Sequence, residues 1–281
     1  MKIKLGENSY GKNAVQLSKI IRHPAYHEFR QITVNVSLKG DFNEAHKDGD
    51  NSKILPTDTQ KNTVYALAKD HFKTSIEDFA LYLANYFITT QAQVEAATIE
   101  IAEQQYHRMQ FDGVEHPHAY IGGGSEKRTT RVVKTASTVS VQSGIADLLI
   151  LKTTDSGFEK YIKDKYTTLK ETGDRILATK CEVAWMWDKL PADYTEQFNS
   201  IRGLLLQTFA GHKSLSVQQT LYAMGEAVLE TYAGIREIYL QMPNKHHIPF
   251  NLEQFEIQNQ NEIFIATDEP YGMITATVVR E

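Results

Sequence analysis

Ile32-Thr33-Val34-Asn35-Val36-Ser37-Leu38-Lys39 alternates apolar and polar side chains without a break. Successive side chains of a strand point to opposite faces, so this stretch predicts a β-strand with one dry and one wet face. A looser β-like segment precedes it, at about 14–22. From Thr57 the period changes. Ile76, Phe79, Ala80, Leu83 and Phe87 recur at helical spacing, with Glu77, Asp78 and Asn85 elsewhere on the wheel, and about 59–70 also reads as a helix. Strands return where Ala97, Ile99 and Ile101 alternate with Thr98 and Glu100, then at 129–141 and 145–151. The second half repeats the order. Val183, Trp185 and Trp187 mark a strand. Helices follow at about 193–210 and 216–232, the latter carrying Val217, Leu221, Met224 and Val228 on one face. Strands close the chain near 235–241, 262–266 and 274–279.

Each half thus reads strand, strand, helix, helix, strand, strand, with no residue-level repeat. That order suits an α+β fold, an antiparallel sheet with paired helices on one face. The other face must meet solvent or another sheet. Small polar residues there (Thr33, Asn35, Ser37, Ser140, Gln142) suit the inside of a closed ring of subunits, and closure removes exposed edges. A homo-oligomer is expected.

The 281 residues are enough for one large or two medium domains. The net charge of −5 argues against a general nucleic-acid binder, although a cleft with converging cations still holds an anion. One cysteine, Cys181, excludes an intrachain disulfide framework and fits a reducing compartment. The N-terminus lacks a signal-peptide apolar region, no run approaches a membrane span, and Val279-Arg280-Glu281 is not a peroxisomal tail. A cytoplasmic protein with no membrane partner is expected.

Several motifs are missing or incomplete. Gly122-Gly123-Gly124-Ser125 lacks the lysine of a phosphate loop and reads as a turn between strands. No dinucleotide fingerprint follows a strand. His116 and His118, around Pro117, read as a solvated turn rather than as metal ligands, and His23 and His27 are treated alike. Phe79, Leu83 and Phe87 read as core. Glu171 to Arg175, taken alone, reads as a solvated charged loop.

Six segments taken together change that last reading: Tyr10-Gly11-Lys12; Leu55-Pro56-Thr57-Asp58-Thr59-Gln60-Lys61-Asn62-Thr63; Phe158; Thr167-Thr168-Leu169-Lys170-Glu171-Thr172-Gly173-Asp174-Arg175; Ser216-Val217-Gln218; and Asn244-Lys245-His246. In order and spacing they resemble the urate oxidase family over nearly the whole chain. The resemblance implies tandem T-fold halves, 1–138 and 139–281. Each is a four-stranded antiparallel sheet with two helices, closing into a β-barrel in a homotetramer with active sites at subunit interfaces. It implies oxidation of urate by O2 without metal or other cofactor, giving 5-hydroxyisourate and H2O2.

By the same resemblance, Phe158 stacks on the purine, Arg175 and Gln218 pair with its edges, and Val217 contributes a backbone N–H. Thr57 and Asp58 contribute backbone N–H groups from a neighbouring subunit. Lys12, Thr57 and His246 form a proton relay, and Asn244 holds oxygen or water over the ring. Gly173 departs from the pattern, because several relatives carry a larger residue there, often tryptophan. Two other functions fit parts of the sequence. One is a zinc-dependent pterin or guanine-nucleotide enzyme of the same fold, which needs a Cys/His or three-His set. The other is a purine-binding oligomer without a relay.

Overall fold

The computed structural model describes residues 3–281. The opening stretch lies in β2 (His27–Gly40), beside β1 (Tyr10–Arg22), and Ile32, Val34, Val36 and Leu38 are almost completely buried. Its register against β3 (Val94–Phe111) matches like with like. Val34 faces Ile101 and Val36 faces Ile99, whereas Asn35 faces Glu100 and Ser37 faces Thr98. Because the side-chain period is two, one face of the sheet is dry and the other polar. On the polar face Arg131 of β4 (Val114–Thr135) pairs with Glu100 at 3.2 Å, and the residues there line a trough of about 420 Å³.

The chain divides into two compact units. The first holds residues 1–144 and 189–197, the second 145–188 and 198–281. In the first, β1 to β4 are antiparallel neighbours in chain order, joined by the start of β5 (Val139–Lys152). After the short α1 (Asn43–Lys47), α2 (Thr57–His71) packs on β1, and α3 (Ile76–Thr90) packs on β3 and β4. Phe79, Leu83 and Phe87 of α3 are fully buried, each stabilising the fold by about 1.5–3 kcal/mol. In the second unit, β6 (Leu177–Trp187), β7 (Ile235–Pro249) and β8 (Phe264–Val279) are antiparallel neighbours, and α5 (Val217–Thr231) packs on β7 and β8. Trp185 meets Phe198 of α4 (Tyr194–Gly211) at 6.2 Å.

The two units repeat local devices that the sequence reading missed. Lys19 of β1 donates to Ala68 and Lys69 carbonyls at the end of α2 and lies 5.9 Å from the Phe72 ring. Lys152 of β5 donates to the His212 carbonyl after α4 and lies 5.7 Å from the Phe209 ring. Each lysine satisfies the free carbonyls and the negative end of a helix. The second helices also begin alike. Ser75 caps α3 and Ser216 caps α5, followed by buried Ile76 and Val217, then Glu77 and Gln218. Glu77 turns inward. Arg128 Nη2 donates to it at 2.6 Å and Ser143 Oγ at 2.7 Å, with no exposure at Glu77. Arg128 Nη1 also donates to Thr195 Oγ1 at 3.1 Å.

Some boundaries differ from the sequence reading. The 129–141 segment is two strands, with a turn closed by Thr135 N–H donating to the Thr138 carbonyl at 2.9 Å. Neither Gly122 to Ser125 nor His116 to His118 is a turn; both lie inside β4. The turn before β4 is Asp112-Gly113, both with positive φ, the dipeptide that a tight hairpin favours. Gly123 is small for another reason. A Cβ there would meet His107 Nε2 at 2.8 Å and Gln105 Cβ at 3.0 Å. The two closing segments form the single strand β8.

Candidate active site

The motif residues fall into two groups, one per unit. In the first unit, Gly11 allows β1 to lie against β2, since a Cβ there would stand 1.8 Å from the Val36 carbonyl oxygen. Lys12 follows, half-buried and paired with Val36. A bulge then intervenes, with Ala14 at φ 57° and its N–H donating to Asn35 Oδ1 at 2.8 Å. Tyr10 fixes the entry to α2. Leu55 N–H donates to its hydroxyl at 2.9 Å, and Gln60 Nε2 donates to the Leu55 carbonyl at 3.2 Å.

The helix begins at Thr57, two residues earlier than the sequence suggests. Thr57 and Asp58 therefore occupy its first turn, where backbone N–H groups precede the first helical hydrogen bond. No side chain caps this end. The Asp58 carboxyl is exposed. Its pKa is held below the usual range chiefly by the hydrogen bond from Lys61, with a smaller influence from the Lys12 charge.

In the second unit, hydrogen bonds stitch three segments into one cradle. Gly157 N–H donates to the Ser214 carbonyl at 2.8 Å, and Ser214 N–H to the Asp155 carbonyl at 2.9 Å. Phe158 N–H donates to the Thr172 carbonyl at 2.8 Å, and Thr172 N–H returns a bond at 3.2 Å. Thr154 Oγ1 donates to Asp174 Oδ2 at 3.0 Å. The result places the Arg175 guanidinium carbon 5.4 Å from the Phe158 ring centroid. What reads alone as a solvated loop is a built element.

Arg175 is half-buried, and burial lowers its pKa from the ordinary value. Its Nε is buried without a hydrogen-bond partner, and no carboxylate among the described residues pairs with the guanidinium. A desolvated cation without an anion is costly. The same loop admits a larger residue at Gly173, where a Cβ would meet only the end of the Glu159 side chain at 3.3 Å.

At the entry to α5, Ser216 Oγ accepts from Gln219 N–H at 3.1 Å, and Gln219 Oε1 accepts from Leu215 N–H at 2.8 Å. This cap fixes Val217, which is buried, and Gln218, which is exposed, in the first turn. On β7, Asn244 pairs with Gly272 and His246 with Thr267, leaving residues 268–271 of β8 as an irregularity opposite Lys245. The bulge re-aims the strand, and a Lys245–Asp268 ion pair closes it. Asn244 and His246 are both half-buried. Phe158 and Arg175 are thus placed together, while Lys12 and Thr57 lie in the other unit from His246. Among the described residues, no group of three or more His, Cys, Asp or Glu side chains is placed to hold a metal ion.

An aromatic ring beside a guanidinium without an ion-pair partner among the described residues is chemistry suited to a flat, electron-rich anion. Comparison with known proteins makes this specific. A family model described as Uricase matches residues 8–133 and 141–275. A Uricase of Arthrobacter globiformis is 44% identical over 280 residues, covering 100% of this chain and 91% of that protein. A Uricase of Arabidopsis thaliana is 36% identical, covering 98% and 95% respectively. The crystal structure of uricase from Arthrobacter globiformis superposes with a TM-score of 0.96 at 42% identity, covering 100% of this chain and 96% of that one. Urate oxidase from Bacillus sp. TB-90, at 22% identity, shares the fold with a TM-score of 0.85 over 97% and 100% of the two chains. The chain belongs to the uricase family and is thereby an oxidoreductase, a urate oxidase.

Proposed function

We propose that the chain oxidises urate with O2 and water to 5-hydroxyisourate and H2O2, using its own side chains and no metal or other cofactor. The observation that carries the substrate assignment is the half-buried, unpaired Arg175 beside the Phe158 ring. Urate is flat and anionic, so it completes both groups. Its ring stacks on Phe158, its edge takes the planar donor fork of Arg175, and Gln218 offers one donor and one acceptor to the pyrimidine edge. Val217 adds a backbone N–H at the start of α5. The first-turn N–H groups of Thr57 and Asp58, from a neighbouring subunit, face the five-membered ring.

Urate is a better reductant once a second proton has left. The Thr57 hydroxyl passes that proton to Lys12, and His246 completes the relay. The dianion then gives electrons to O2 held near Asn244, and water adds to the oxidised ring. We further propose that residues 1–138 and 139–281 are tandem T-fold halves, and that four copies close their sheets into a barrel with sites at the interfaces. The parallel helix caps and the lysines at helix ends support the repetition. A cytoplasmic setting agrees with the buried, unpaired thiol of Cys181. Among the described residues no helix is long and apolar enough to cross a membrane.

The direct test follows urate's ultraviolet absorbance and peroxide in air. Both are expected to change, equally before and after chelator treatment. Binding without either change would support a purine carrier, and activity that needs added metal would refute the cofactor-free mechanism. Arg175→Lys is expected to weaken urate binding about 30-fold or more, the loss of a charge-assisted fork being worth about 2 kcal/mol. An unchanged affinity would remove Arg175 from the site.

A further inference from the structure

Tyr161 has no part in the mechanism above, yet it lies flat against Phe158. The ring centroids are 4.9 Å apart and the planes differ by 13°. Its Oη donates to the Leu169 carbonyl at 2.7 Å. The Lys163 ammonium stands 5.5 Å from the Tyr161 ring centroid and pairs with Glu171 at 2.9 Å. Glu171 Oε1 also accepts from Lys160 N–H at 3.2 Å. The excursion between Phe158 and Thr172 is thereby closed on itself, with the tyrosine half-buried.

We propose that Tyr161 is a positioning residue for the purine. It occupies one face of Phe158, where a substrate cannot then stack, and fixes the tilt of the ring that the substrate meets. The inference rests on the reading of Phe158 as the stacking platform. A phenylalanine on a loop, with both faces free, samples several orientations and loses that freedom on binding. A ring already stacked on a second, hydrogen-bonded aromatic has little left to lose, so the same contact gives tighter binding. Offset stacking also suits a platform two rings deep.

The test measures xanthine affinity, urate KM and kcat, and the thermal midpoint for the full chain. The variants are Tyr161→Leu, Tyr161→Phe and Phe158→Leu. Xanthine serves as the probe because it is a planar purine without the oxygen at C8. Tyr161→Leu is expected to weaken xanthine and raise KM by about 5-fold, an aromatic pair being worth up to about a factor of ten, while kcat stays within about 2-fold. Tyr161→Phe keeps the ring and is expected to stay within about 2-fold on both constants.

Tighter xanthine binding by Tyr161→Leu would overturn the proposal, because the tyrosine would then be competing for the substrate's face. Equal damage from Tyr161→Phe would overturn it too, by assigning the effect to the Leu169 hydrogen bond and the loop. Phe158→Leu separates the two levels. If it weakens xanthine and Tyr161→Leu does not, the inference alone fails. If it leaves xanthine untouched, the stacking assignment fails and takes the inference with it.

Discussion

Replacing Lys12 by methionine is expected to lower kcat about 10²- to 10³-fold, the usual worth of a positioned general base, while xanthine affinity changes little. Methionine has similar length and no ammonium, and the site that receives it is already shaped. Gly11 holds the strand against the Val36 carbonyl, and the bulge after Lys12 is fixed by Asn35. The variant therefore removes an ammonium group without removing a strand. Steady-state kinetics with urate and equilibrium binding of xanthine read the two quantities separately. Equal loss of turnover and binding would sink the relay assignment and make Lys12 a binding or folding residue.

The second large effect concerns stability. Arg128→Met leaves Glu77 buried without its cation, and breaking such a pair costs about 3–5 kcal/mol. For a chain of this size that lowers the thermal midpoint by roughly 10 °C. The pH dependence carries the mechanism. Burial raises the Glu77 pKa above the usual carboxylate range, and Arg128 opposes that rise. A carboxyl whose folded pKa is raised contributes stability below its unfolded pKa, about 4.3, and loses it as pH rises through the folded value. Without Arg128 the folded value rises further. The gap between wild type and variant should thus narrow as pH falls from neutral toward the unfolded pKa. Adding Glu77→Leu to Arg128→Met should recover much of the loss. A gap that is small, or the same at every pH, would mean that the pair carries little of the first unit's stability.

Much of the fold was legible because its signals are periodic. The alternation at Ile32 to Leu38 and the helical spacing from Ile76 to Phe87 each report one buried face, and both faces are buried. The failures came where backbone chemistry overrides side-chain period. Glycines inside β4 read as a turn, although close approach of β3 is what demands Gly123. The hairpin turn lies instead at Asp112-Gly113, where both residues have positive φ. The start of α2 at Thr57 was missed because Pro56 and Thr57 show no apolar period. The fixing contacts come from Tyr10, 45 positions away from its partner Leu55.

The proposed site residues stand out only as a collinear set that resembles a family. Alone, Lys12 is a surface-like lysine and Arg175 part of a charged loop. What makes Arg175 unusual is that no ion-pair partner stands by it among the described residues, and that is a property of three dimensions. Tyr161 and the Glu77–Arg128 pair left no sequence trace. An aromatic three residues after another on a loop looks ordinary, and a glutamate in the first turn of a helix looks like a favourable charge near the dipole.

The matching helix entrances at Ser75 and Ser216 place one local pattern in two different surroundings. At Glu77, a random change is met first by protein quality control, because the side chain is sealed against Arg128. At Gln218, which is exposed, the same kind of change leaves folding alone and, under the proposed function, is met by the substrate. The first position is part of the foundation, where a change is costly. The second is open to the outside, and a change there leaves the packing of the chain that carries it intact.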